Sequence, residues 1–146
     1  MIRLLLALSL AVPNPVHTPG VVRPMTSAEV CAVRWGTDSR KVTAAMRRQV
    51  FTWYGVPQHE RRNYEVDHLI PRSAGGADDV RNLWPQAWVP WARLKDRLET
   101  RLHKLVCVTG SVSLADAQAV FRGDWRHGYE RYVGPLPEAV RIGSVP

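Results

Sequence analysis

The sequence predicts an α+β domain, mostly helical, in which one short β-hairpin sits between helices. Three observations carry that expectation. "WARLKDRLETRLHKLVC" places Trp91, Leu94, Leu98, Leu102 and Leu105 at helical spacing along one face. Two short strand-like runs, Tyr64 to Ile70 and Asn82 to Trp84, are joined by the glycine-rich "PRSAGGADDVR". The chain has 146 residues, 45% hydrophobic and 23% charged, with no internal repeat. That length and composition support one modest core and exclude a disordered tail.

The elements follow in order. One positive residue, Arg3, precedes an apolar run from Ile2 to Val12. The run is too short to span a bilayer and matches the apolar region of a secretory signal. Residues 13 to 24 hold Pro13, Pro15, Pro19, Gly20 and Pro24. Residues 1–24 are therefore read as a signal-like segment with a flexible, proline-rich lead-in. Ser27 is placed as the cap of a short helix over Ala28 to Arg34, with Glu29 in its first turn. A second helix spans Thr43 to Tyr54 and stops at Gly55. Val42, Met46, Val50, Trp53 and Tyr54 form its apolar face, and Lys41, Arg47 and Arg48 lie on the other. The hairpin comes next. Pro85 and Pro90 then make a rigid turn before the long helix from Trp91 to Cys107. Ser113, with Asp116 three residues on, opens another helix to about Phe121. A last short helix runs from Asp124 to Tyr132. The folded domain is expected over residues 25–133, and residues 134–146, with three prolines, form a loose tail.

Twenty Lys and Arg oppose 13 Asp and Glu, for a net charge of +7. Loss of residues 1 to 20 would remove only Arg3, so the remainder stays basic. Such a field favours polyanions: nucleic acid, anionic lipid or cell-wall polymer. Charge alone does not separate these from a merely basic soluble protein. The two cysteines, Cys31 and Cys107, are too few for a structural zinc site. In an exported protein they pair and close a long loop; in the cytosol they stay as buried thiols.

The chemistry concentrates in "YEVDHLIPRSAGGADDVRNLW". Asp67 and His68 are adjacent, a carboxylate beside an imidazole whose pKa lies near physiological pH. Oxygen from Asp67 suits a hard cation such as Mg²⁺. Phosphodiester hydrolysis needs both a base for water and a cation for the developing charge. Strand alternation nevertheless sends residues 67 and 68 to opposite faces. They converge only where the strand ends, and Pro71 marks an end nearby. Asn82 opens the returning strand. It is read either as a metal ligand or as a tie that holds His68 in register, and by itself as a turn residue. On the long helix, Lys95, Glu99 and His103 follow at i, i+4 and i+8, with Asp96 beside them. The Asp96 and Glu99 carboxylates and the His103 imidazole are read as completing a metal site facing the hairpin, or the whole as a solvated ridge with a Lys95–Glu99 ion pair worth a few tenths of a kcal/mol. His17, His59 and His127 are isolated. Trp88 and Trp91 flank the expected cleft. Arg72, Arg81, Arg93 and Arg97 surround the motif, as phosphate contacts or as ordinary surface charge.

A strand carrying Asp-His, a loop, a strand opened by Asn and a helix with acidic and His groups together resemble the ββα-metal fold of HNH nucleases. The match is densest over "EVDHLIPRSAGGADDVRNLW". The Asp-His pair, in place of His-His, resembles the HNH domains of CRISPR effector nucleases, and "RRNYEVDH" is similar to the lead-in of colicin DNases. The run "YEVDHLIPRSAGGADDVRNLWPQ … KDRLETRLHKLVC" further resembles small bacterial HNH-type proteins that carry a secretion signal. In these a cysteine before the hairpin and one after the long helix recur, like Cys31 and Cys107. The resemblance covers most of residues 30 to 133, and its specific part is the hairpin. It implies that Asp67 is a metal ligand, His68 the general base and Asn82 the central Asn. Arg61 is then the arginine that touches the scissile phosphate or pairs with Glu65. Where many HNH nucleases carry their last metal-binding His, this chain has Trp91, so the helix ligand is sought first at Asp96, then at Glu99 and His103.

The expectation is a metal-dependent endonuclease acting on nucleic acid, DNA before RNA, with little sequence preference. Its cofactor is a divalent cation, Mg²⁺ first, with Mn²⁺ or Zn²⁺ as alternatives. The chain is expected to be a monomer, secreted or periplasmic and not held at a membrane, with the cytoplasm as the alternative. The rival from another class is a non-catalytic nucleic-acid or cell-wall binding protein with a vestigial HNH hairpin. A third reading is a secreted structural protein whose motif binds metal only for stability.

Overall fold

A computed structural model describes residues 11–36 and 38–140. It is a mixed α+β chain with one two-stranded antiparallel sheet. Helix α1 (Ser27–Ala32) is capped by Thr26, not Ser27. The Thr26 side chain accepts from the Glu29 amide while the Glu29 carboxylate accepts from the Thr26 amide, a reciprocal capping box. Helix α2 (Ala44–Trp53) follows its cap Thr43. Strands β1 (Tyr64–His68) and β2 (Leu83–Ala87) pair with Asp67 opposite Trp84 and His68 opposite Leu83. Pro85 lies inside β2, opposite Val66. Proline is tolerated there because a two-stranded sheet leaves each strand one free edge. The rigid turn therefore falls to Pro90 alone, in the distorted segment Trp88–Ala92.

Helix α3 (Arg93–Cys107) is the long helix, and it buries Leu94, Leu98 and Leu102. Helices α4 (Leu114–Arg122) and α5 (Trp125–Tyr132) start at the side-chain caps Ser113 and Asp124. Phe121, Trp125 and Tyr129 join the α3 leucines in the main core. A smaller core of Val42, Val50, Val66 and Leu83 binds α2 to the hairpin. Two cores on either side fix the hairpin between α2 and α3.

Both domain ends differ from expectation. The lead-in is packed rather than flexible. Ala11 is buried, and its carbonyl accepts from Trp125 Nε1 at 2.8 Å. Thr18 is buried and donates to the Leu83 carbonyl at 2.9 Å. Val22 forms a bridge with Gly76. Prolines did not prevent packing because the remaining backbone groups found partners across the domain. The tail is likewise anchored as far as residue 140: Leu136 is buried in the main core, and Glu138–Val140 form a 3₁₀ turn. The signal-like run up to residue 10 lies outside the described residues, as do residues 141–146. No helix among the described residues is long and apolar enough to cross a membrane.

Candidate active site

The end of β1 builds the site. Asp67 and His68 do leave the strand on opposite faces, as alternation requires. Asp67 turns to α3, where its Oδ2 accepts from Lys95 Nζ at 3.0 Å. His68 turns to the loop, where its Nε2 lies 2.7 Å from Asp78 Oδ1. Because the strand stops at His68, both side chains still line one cavity of about 390 Å³. Trp35, Arg40, Arg72 and Glu99 line it with them.

Asp78 sets the state of the imidazole. Burial pushes the Asp78 carboxyl up, but hydrogen bonds from the Lys41 amide and His68, with the Arg72 charge, hold it below the usual carboxylate range. An ionised carboxylate only accepts, so His68 Nε2 carries the proton and donates it. The lone pair then sits on Nδ1. Burial lowers the His68 pKa, against the opposing pull of Asp67 and Asp78, which keeps the ring neutral. A neutral, oriented imidazole is what a general base requires. Arg72 completes this side, with Nε 3.3 Å from Asp78 and its terminal nitrogen paired to Asp38.

Asp67 and Glu99 meet across Lys95. The Lys95 side chain is fully buried on the core side of α3, and its ammonium donates to Asp67, to Glu99 Oε1 at 2.5 Å and to the His68 carbonyl at 2.6 Å. Three acceptors saturate the three donors of an ammonium. Burial works against its charge, yet the two carboxylates raise its pKa overall. Asp67 is held low, Lys95 overcoming burial. Glu99 is pushed up to about 7 by burial, against Lys95, with the Asp67 charge adding to the push. The expected Lys95–Glu99 pair thus exists, but as part of a buried three-residue network and not on a solvated ridge.

The other expected residues go elsewhere. Asn82 is fully buried and clamps the loop backbone: its Oδ1 accepts from the Ile70 amide at 3.0 Å, and its Nδ2 donates to the carbonyls of Ile70 at 2.9 Å and Ala77 at 3.1 Å. With both amide atoms engaged, Asn82 serves as the tie and not as a ligand. His103 faces Ser73, its Nδ1 3.1 Å from that carbonyl, beside Cys107. Asp96 is exposed, and its pKa is raised by partial burial and the Asp67 charge. Arg61 donates to the Val56 carbonyl at 3.3 Å and lies over the Phe51 ring. It neither lines the cavity nor pairs with Glu65 among the described residues. Glu65, pushed up to about 7 by burial and by the Asp67 and Asp96 charges, stands near Arg40 instead.

No group of three or more His, Cys, Asp or Glu among the described residues is arranged to hold a metal. The fit to a divalent cation rests on Asp67 and Glu99 alone. Two carboxylates on one cavity, braced from the core side by Lys95, supply the hard oxygen that Mg²⁺ takes when water and substrate phosphate fill its other positions. Asn82, Asp96 and His103 do not join them.

Asp78, Lys95, Arg40 and Trp35 were missed as site residues. Asp78 carries one signal in the sequence, an acid placed in the loop of a motif that needs its histidine held. No known family model, curated protein or solved structure matches the chain.

Proposed function

We propose that the chain is a secreted, monomeric HNH-type endonuclease that hydrolyses phosphodiester bonds of nucleic acid, DNA before RNA. The observation that carries this reading is the His68–Asp78 pair, at 2.7 Å, on a cavity shared with Asp67, Glu99 and arginine. In this reading Nδ1 of His68 takes a proton from water, and that water attacks phosphorus in line. Asp78 holds the ring and stabilises the imidazolium that forms. Arg40, exposed on the cavity, receives the phosphate. Asp67 and Glu99 would hold a divalent cation, which when bound stabilises charge on the phosphate and the leaving oxygen. Lys95 keeps the two carboxylates in place. The Cys31–Cys107 disulfide supports an oxidising compartment.

The test is digestion of plasmid, of single-stranded DNA and of RNA by the purified protein with Mg²⁺, Mn²⁺, Zn²⁺ or EDTA. Cutting should need the cation, and His68→Ala should reduce it by about 10²–10⁴-fold with the fold intact by circular dichroism. Undiminished cutting by His68→Ala would remove His68 as base.

One observation favours a second reading. An ammonium already neutralises the carboxylates where the resemblance expects a cation. That suits a non-catalytic binder of nucleic acid or cell-wall polymer with a vestigial motif. Tight, salt-sensitive binding without cation-dependent turnover is its signature.

A further inference from the structure

The cavity has one aromatic wall. Trp35 follows α1, and it belongs to neither core cluster. Its ring is held from two sides. Nε1 donates to the Val30 carbonyl at 3.2 Å. The Arg23 guanidinium lies 5.3 Å from the ring centroid. Arg23 is itself fixed by the carbonyls of Gly76 and Arg72, each at 3.2 Å. An indole with its polar atom engaged and its plane fixed offers only a surface to a ligand. Arg40 stands on the same cavity, one terminal nitrogen on the Val66 carbonyl at 3.1 Å and no ion pair among the described residues.

The reacting groups lie deep. The side chains of His68, Asp67 and Glu99 are 5%, 16% and 21% exposed. A duplex carries its phosphates on a stiff cylinder with the bases stacked inside, so a phosphate that enters this recess of about 390 Å³ brings no base face with it. A single strand brings its phosphate and exposes a base face at the same time.

Resting on the proposed hydrolysis, we infer that the site takes an unpaired nucleotide, with its base against Trp35 and its phosphate between Arg40 and His68, so that single-stranded nucleic acid is the substrate. Every base has a stacking face, so the platform adds affinity with little sequence preference.

Binding of a labelled single-stranded 12-mer oligodeoxynucleotide, and of a hairpin duplex of equal length, is measured on the full-length wild-type protein in EDTA, which withholds the cation that cutting needs. The single strand should bind at least tenfold tighter. Trp35→Leu, which keeps apolar bulk but removes the stacking face, should weaken single-strand binding by about 5- to 150-fold, and Trp35→Phe should restore most of it. Equal or tighter duplex binding, no binding of either, or no loss with Trp35→Leu would overturn the inference. The two readings fail separately. Single-strand binding with the expected Trp35 dependence but no cutting by the wild type would sink hydrolysis alone. Cutting of duplex as fast as single strand would sink the single-strand inference alone.

Discussion

Lys95 is the residue on which the charge balance of the site turns. A buried lysine is tolerated only with partners, and here Asp67, Glu99 and a main-chain carbonyl supply all three. Replacing it by Met keeps the length and removes the charge. Two buried carboxylates would then face each other without a cation. We expect Lys95→Met to lower unfolding stability by about 3–5 kcal/mol, the loss seen when one partner of a buried ion pair is removed. Adding Glu99→Gln should recover part of it by removing one of the stranded charges. Urea denaturation of the single and double variants checks this; equal stability of Lys95→Met and wild type would show that the network contributes nothing net. The same residue shows where sequence reasoning stops. Spacing along α3 put Lys95, Glu99 and His103 on one ridge, and the i, i+4 pair was legible. The direction of that ridge was not, because Asp67 is 28 positions away and only the hairpin's docking brings it to Lys95.

At the scale of the element, the hairpin and its loop act as one device. Asn82 clamps Ile70 and Ala77, and Asp78, the residue directly after Ala77, reaches His68. Gly76 makes the clamp possible. A Cβ at this position would stand 1.8 Å from the Ile70 carbonyl oxygen and 2.9 Å from Asn82 Nδ2. The first obstacle is backbone, so no rotamer change relieves it. Gly76→Ala should therefore displace the loop, at a loss of about 3 kcal/mol or more, and lower activity by moving Asp78 away from His68. Thermal melting and cleavage assayed together check it; a variant with wild-type values in both would remove the clamp from the account. The strand signals and the polar residues of this element were readable from "YEVDHLIPRSAGGADDVRNLW", and so was the need for a tie. The choice between ligand and tie at Asn82 was not, since an amide suits both and only the nearness of Ile70 decides. Arg61 was misplaced for a similar reason. Its spacing to Glu65 suggested a pair, but the 3₁₀ segment Gln58–Asn63 lets it reach the Val56 carbonyl and the Phe51 ring first.

At the scale of the whole molecule, the Cys31–Cys107 disulfide joins α1 to the end of α3 across a sequence separation of 76, with Cα atoms 5.4 Å apart. It links the segment that leads to Trp35 with the helix that carries Lys95 and Glu99. Everything between, including α2 and the whole hairpin, lies inside the closed loop. In the chain-entropy description a loop of this length restricts the unfolded state strongly, and removal of such a bond typically lowers stability by about 2–5 kcal/mol. Two cores either side of the hairpin keep the rest of the fold in place, so Cys31→Ser/Cys107→Ser should still fold. Its effect should fall unevenly. The main core fixes α3 through Leu94, Leu98 and Leu102, whereas α1 has six residues and one buried side chain, Val30. Freed of the disulfide, α1 and the Trp35 segment should loosen before α3 does. Amide exchange should then rise first over residues 27–36, while protection along Leu94 to Leu102 persists. Uniform loss of protection across both regions would show instead that the bond stabilises the domain as a single unit and does not act on the Trp35 wall in particular.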